Sequence, residues 1–315
     1  MKRRAFTIIL ILILTSFAIQ AVQPTVFSAV GVIESTIGGF KFPDGSIQAS
    51  AAFPAASHCT AITGPLPVTI TVEGVYCFTK DLVYEVTSGS AITISVDNVT
   101  INMNDWKLSY QNDSPAPTHL IGIQATLQNN ITIRNGTISG FNVAIQLTTA
   151  TSPYASSRGH LIEDIRVEKS IYAGIVVYGT GTTVRRNQVF ETVDPALTDA
   201  DAFGIHLFGD SARALNNDVI DVTGKGIGVG VGLAISAGWG SVVEGNRVDV
   251  ITSSGSGGAI GISINGQNVL VAGNRITRAY SAIEYDFVSS GKYMDNLTSG
   301  VVTAFSGGTN VGVNN

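Results

Sequence analysis

The chain has 315 residues and a net charge of −5, and only 13% of its residues are charged against roughly a quarter in an average domain. Its one run of three basic residues is Lys2-Arg3-Arg4. With no other basic run, the composition argues against nucleic-acid binding. Val, Ile and Thr dominate the ordered-looking runs and helix formers are thin, which favours strands.

The N-terminus reads as an export signal over residues 1–18. Three basic residues precede an apolar run from Ala5 to about Leu14, and Ser16 and Ala18 are the small residues of a cleavage site. The alternative is an uncleaved anchor, but the run falls short of the ~20 residues that a spanning helix needs. Cys59 and Cys77 are the only cysteines. An isolated even pair in an exported chain is expected to form a disulfide. Closing so short a loop is worth on the order of 3 kcal/mol in the chain-entropy model.

Residues 19–57 form a leader. Its centre is Phe40-Lys41-Phe42-Pro43-Asp44-Gly45-Ser46-Ile47, where Pro presets φ and Gly accepts φ > 0. Apolar residues flank the turn, so a small hairpin is expected. The segment resembles a short motif found near the start of bacterial surface and phage tail-fibre-like proteins, where such elements would serve attachment or trimerisation.

From 58 to about 305 a repeat governs the chain, and a tail is expected over 306–315. Ala144-Ile145, Gly174-Ile175, Gly204-Ile205, Gly232-Leu233, Gly261-Ile262 and Ala282-Ile283 recur every 21 to 30 residues. An asparagine signal keeps step: Asn135, Asp164, Asn187, Asn217, Asn246, Asn274 and Asn296. Two interleaved signals with one period mean that one unit is stacked. A single coil cannot bury its own apolar face, whereas stacked coils build a continuous core. Asparagines one coil apart can form an amide ladder at a bend, and Asn tolerates the left-handed backbone that a bend needs.

The runs Tyr76-Cys77-Phe78-Thr79-Lys80-Asp81-Leu82, Ile92-Thr93-Ile94, Asn98-Val99-Thr100-Ile101 and Arg134-Asn135-Gly136-Thr137-Ile138, with the Gly-Ile and Asn-Arg-Val units that follow, resemble bacterial secreted right-handed parallel β-helix proteins of the pectin-lyase-like superfamily. The resemblance implies an all-β, single-stranded right-handed parallel β-helix. That fold hosts many chemistries.

Alternation after each Gly-Ile step points Ile145 and Leu147, and their equivalents up to Ile283 and Tyr285, inward. Two rows then face outward. One is Gln146, Val176, His206, Ala234, Ser263 and Glu284; the other is Thr148, Tyr178, Phe208, Ser236, Asn265 and Asp286. His206 is thereby expected to face solvent beside Tyr178 and Phe208. The loop before it carries Glu191, Asp194, Asp199 and Asp201. Aromatic rings stack on sugars, carboxylates bind hydroxyls or Ca²⁺, and His moves protons near neutrality. Tyr178 and Phe208 are therefore the candidate substrate contacts, and His206, Asp199 and Asp201 the candidate catalytic groups. No resident cofactor is expected, with Ca²⁺ the one ion these carboxylates would suit. The bland reading of the same residues is a polar loop on a rod.

The motifs of related enzymes are mostly missing. The resemblance implies an Asp-Asp pair and a Gly-His-Gly for hydrolases, but the chain has no Asp-Asp, and Gly159-His160 is followed by Leu161. Epimerases of similar fold carry Asp-Pro-His-Asp, where this chain has Asp194-Pro195-Ala196-Leu197. Arg185-Arg186 reads as a tandem on a solvated face, the row Gln188, Asp218, Arg247 and Arg275 as a polar ladder, and Trp106 and Trp239 as partly buried packing. The expected partner is a polysaccharide or cell-surface glycan, contacted by a monomer or homotrimer outside the cytosol. The protein would be a lyase or epimerase, or alternatively a non-catalytic adhesin or tail-fibre-like protein.

Overall fold

The computed structural model describes residues 34–36, 39–41, 47–48, 59–111, 119–149, 157–193 and 198–315. The expected export signal and the Pro43-Asp44-Gly45 turn lie outside the described residues. Two compact units divide the chain, Met1–Ser57 and His58–Asn315. In the first, Glu34–Thr36, Gly39–Lys41 and Ile47–Gln48 make a three-stranded antiparallel sheet. Phe40 lies opposite Gln48 and Lys41 opposite Ile47, so this pairing brackets the turn read from the sequence.

The second unit is a solenoid of stacked parallel strands. One wall is a ten-stranded parallel sheet running from Val68–Ile70 to Thr303–Ser306. An eighteen-stranded sheet supplies the remaining walls. Among the described residues no helix is long and apolar enough to cross a membrane. The Cys59–Cys77 disulfide is formed, with 5.6 Å between the Cα atoms. It ties the first strand, Thr60–Ile62, to Gly74–Phe78, with which that strand pairs in parallel.

The core follows the alternation. Ile145, Ile175, Ile205, Leu233, Ile262 and Ile283 lie opposite one another on consecutive rungs, and all are fully buried. The neighbouring inward row, from Leu147 to Ile264, closes on Tyr285. The Tyr285 hydroxyl stays satisfied inside by donating to the carbonyls of Val269 and Lys292. The repeated glycine has a steric cause. A Cβ on Gly174, Gly204 or Gly232 would stand 2.6, 2.5 or 2.7 Å from the carbonyl oxygen of the matching glycine on the next rung. Strand spacing is set by backbone hydrogen bonds, so the coil cannot move away to make room.

The asparagine signal is a ladder, but its membership differs from the sequence reading. Asn187, Asn217, Asn246, Asn274 and Asn296 are each 1% exposed. Each Oδ1 accepts from the backbone N–H one rung earlier, starting with Ile165, and Asn314 extends the series to the chain end. Residues 309–315, expected as part of a loose tail, are thus hydrogen-bonded into the array. Asn135 and Asp164 sit one position outside the ladder. They belong to the row of left-handed residues that precedes it, with φ of 57° and 54°, and this row continues through Arg186, Asn216, Gly245, Gly273 and Asp295. The left-handed bend is therefore made by the residue before each ladder asparagine, not by the asparagine itself. In the earlier coils the ladder position holds Gly136 and Ile165, which pair with one another.

Candidate functional site

The outward rows run as the alternation predicts. Gln146, Val176, His206, Ala234, Ser263 and Glu284 are in register, as are Tyr178, Phe208, Ser236 and Asn265. On two adjoining coils these rows, with the residues just ahead of them, carry a band of rings. Tyr178 and Phe208 stack with centroids 4.0 Å apart and planes 11° from parallel. His206 lies 4.0 Å from Phe208 on one side and 4.5 Å from Phe203 on the other. Tyr172 meets Phe203 edge-on at 5.6 Å.

The rings rest on a small apolar cluster of Val143, Ala173 and Val176 on the outside of the sheet. His206 is consequently half-buried rather than open to solvent. The alternation does not reach Tyr172 and Phe203, because both precede the Gly step at which it restarts. The available signal is an aromatic one or two residues ahead of that glycine.

Burial pushes the His206 pKa down to about 4, so the ring is neutral near pH 7. Its Nε2 is 2.8 Å from Ser236 Oγ on the next rung. A neutral imidazole held this way hydrogen-bonds well. As a general base or acid near neutrality it is poorly matched, because efficient proton transfer needs a pKa near the working pH.

Asp199 and Asp201 each commit one carboxylate oxygen to the fold. Asp199 Oδ1 accepts from the Ile227 N–H at 3.0 Å, and Asp201 Oδ1 from the Val229 N–H at 2.8 Å. They clamp one loop onto the next. The glycines of that next loop permit the approach, since a Cβ on Gly228 would come within 2.1 Å of the Ala200 carbonyl oxygen. Asp201 still borders the ring band: burial and then its negative charge raise the Tyr172 hydroxyl pKa. Asp194 lies outside the described residues. Among the described residues no group of three or more His, Cys, Asp or Glu side chains is placed to hold a metal ion.

Two further polar clusters lie elsewhere. His160 is buried, its Nδ1 facing the Ile131 N–H and its Nε2 2.6 Å from Ser157 Oγ. Ser157 in turn donates to the Gln128 carbonyl. That chain requires the neutral Nε2–H tautomer and commits the serine proton, so the Ser-His pair is a structural bridge. Arg185 and Arg186 both reach Glu163 at 2.8 Å, and Arg186 also grips Asp164 at 2.7 Å. The tandem thus holds a nearly buried carboxylate instead of merely being solvated. On the ladder side, Arg247 and Arg278 converge on Asp249. Trp106 and Trp239 are 40% and 60% exposed, more open than packing roles require.

No protein-family model matches this chain, and no curated protein matches it in sequence. Several solved structures align with it at low similarity. The A-module of the mannuronan C-5 epimerase AlgE6 from Azotobacter vinelandii is 12% identical, with 83% of this chain and 92% of that one covered at a TM-score of 0.45. The tailspike of E. coli bacteriophage HK620, solved with a pentasaccharide, is 12% identical over 87% of this chain and 63% of its own, at 0.40. PfbA, a surface adhesin of Streptococcus pneumoniae, is 12% identical over 76% and 83%, at 0.31. The chain is a right-handed parallel β-helix.

Proposed function

We propose that this β-helix acts outside the cytosol and contacts polysaccharide through the ring band on its ten-stranded sheet, as a binding rather than a catalytic surface. The observation that carries the reading is the continuous run of ring contacts through Tyr178, Phe208, His206 and Phe203, flanked by the Ser236 hydroxyl. Stacked rings offer apolar edges, and neutral hydroxyl and imidazole groups can pair with sugar hydroxyls. The N-terminal export pattern and the Cys59–Cys77 bridge support an oxidising destination. Binding is preferred to lyase or epimerase chemistry because His206 has so low a pKa and Asp199 and Asp201 are tied to neighbouring backbone.

Affinity electrophoresis against a panel of neutral and uronate polysaccharides tests this. Retardation of the wild type should weaken at least tenfold in Tyr178→Ala, His206→Ala and Phe208→Ala. Unchanged retardation in all three would remove the site. Release of an unsaturated product from a polyuronide, lost in His206→Ala, would overturn the preference for binding over catalysis.

A further inference from the structure

The corner that follows the ten-stranded sheet carries two aromatic rings that the fold leaves largely uncovered. Trp239 ends the strand Gly230–Trp239 and is 60% exposed, while Phe287, in the turn after Ser281–Tyr285, is 94% exposed. Trp239 pairs in register with Gln267 on the next rung. Gln267 Nε2 donates to the Val288 carbonyl on the rung after that. Trp239 and Phe287 therefore stand at one corner, two strand spacings or about 10 Å apart along the axis.

Phe287 is not exposed because its turn is slack. Its own N–H donates to Asp286 Oδ1 at 2.6 Å, and Ser289 N–H closes the turn on the Asp286 carbonyl at 2.8 Å. Ser289 Oγ accepts from the Gly266 N–H, and Ser290 Oγ accepts from the Asn268 N–H while donating to Gln267 Oε1. The polar residues of the turn are tied to the rung before, and the apolar ones face water. Covering a phenylalanine is favourable in proportion to the apolar area removed from water. A rigid turn that forgoes this gain presents a preorganised anchor, whose ordering cost is met before any partner arrives.

The surrounding charge selects the partner. Asp210 Oδ1 accepts from the Trp239 N–H, Asp286 holds the turn, and Glu284 lies on the adjoining strand. Carboxylates around the rings repel polyuronides and anionic lipid headgroups. The second oxygen of each of these aspartates, which the backbone contact does not use, can accept from neutral sugar hydroxyls, and the apolar C–H face of a pyranose stacks on an exposed ring. We propose that Trp239 and Phe287 form a platform for a neutral polysaccharide whose chain runs along the solenoid axis. This shares the carbohydrate reading above but rests on different residues.

The test uses the full chain in native gels cast separately with hydroxyethyl cellulose, galactomannan, dextran or alginate. The wild type should be retarded by at least one neutral polymer, and any retardation by alginate should survive loss of both rings. Trp239→Ala and Phe287→Ala should each weaken that retardation, and the double variant should weaken it at least tenfold, with an unchanged melting temperature because both rings are exposed. Trp239→Phe should retain most of it. In a Trp106→Phe background the Trp239 emission should shift to the blue on adding the retarding polymer. That shift should survive His206→Ala and disappear in Phe287→Ala. Retardation in the double variant equal to wild type, with no emission shift, would overturn the platform and leave the ring band standing. No retardation of the wild type by any polymer would overturn both. Retardation by alginate alone, or co-sedimentation with phosphatidylcholine vesicles in place of gel retardation, would overturn the platform.

Discussion

Asn217 Oδ1 accepts two hydrogen bonds from Asn187 one rung earlier, from its backbone N–H at 3.0 Å and from its side-chain Nδ2 at 3.0 Å. Asn217 passes the same pattern on to Asn246 and anchors its own Nδ2 on the Val184 carbonyl. Each amide thus satisfies a backbone donor that the bend would otherwise leave buried and unpaired, at 1% exposure.

Asn217→Ala should therefore destabilise the array by about 3 kcal/mol, since it orphans the Asn187 N–H and removes a buried amide with all of its partners. Chemical denaturation gives the value. Asn217→Asp should be little better, because a carboxylate has no donor for Val184 and Asn246. A loss below about 1 kcal/mol would show that water replaces the ladder.

Gly204→Ala should be destabilising, because its Cβ would meet Val219 Cγ1 at 2.3 Å and the Gly232 carbonyl oxygen at 2.5 Å. Overpacking of this kind costs about 1–3 kcal/mol. Gly258→Ala is the control. Its Cβ would find nothing nearer than Val229 Cγ1 at 3.5 Å, and its φ is not in the left-handed region. Thermal melts should leave that variant within about 0.5 kcal/mol of wild type or slightly above it.

Asp249 should make the protein sensitive to acid. Hydrogen bonds from Arg278 and then Thr277 hold its carboxyl down at about 2. A depressed carboxylate pKa adds stability above the unfolded value near 4, and this is lost as pH falls through about 2. Arg278→Ala should flatten the decline in melting temperature across that window. A decline identical to wild type would remove the pair as its cause.

His206 and His160 should not titrate in the native protein between about pH 7 and 5, where an ordinary histidine does. Burial lowers both to about 4. The unfolded chain takes up protons first, so stability attributable to these rings is complete above about pH 6.5 and is lost as pH falls towards 4. Imidazole proton shifts followed by NMR check this directly. A native midpoint near 6.5 for His206 would show that the ring is open to solvent, and would restore it as a candidate base.

The period of the chain determined the most. Ile, Leu and Val two residues apart after each Gly-Ile step were enough to assign inside from outside, because a parallel strand has a side-chain period of two and a stacked coil must bury one face. His206, Tyr178 and Phe208 could be set on the outer face from that alone, and the two cysteines paired from their number and context. Three things were decided only in three dimensions. Asn135 and Asp164 looked like ladder members, yet a one-residue offset, visible only in the strand register, moved them to the left-handed row. Asp199 and Asp201 are candidate catalytic groups from sequence, but one oxygen of each is taken by an N–H group of the following coil, some 28 residues on in sequence. His206 was placed on the correct face but not at the correct exposure, because Phe203, Phe208 and the Val143–Val176 cluster screen it from water. Spacing in sequence reports which way a side chain points. How deeply it is covered depends on what the neighbouring coils bring against it.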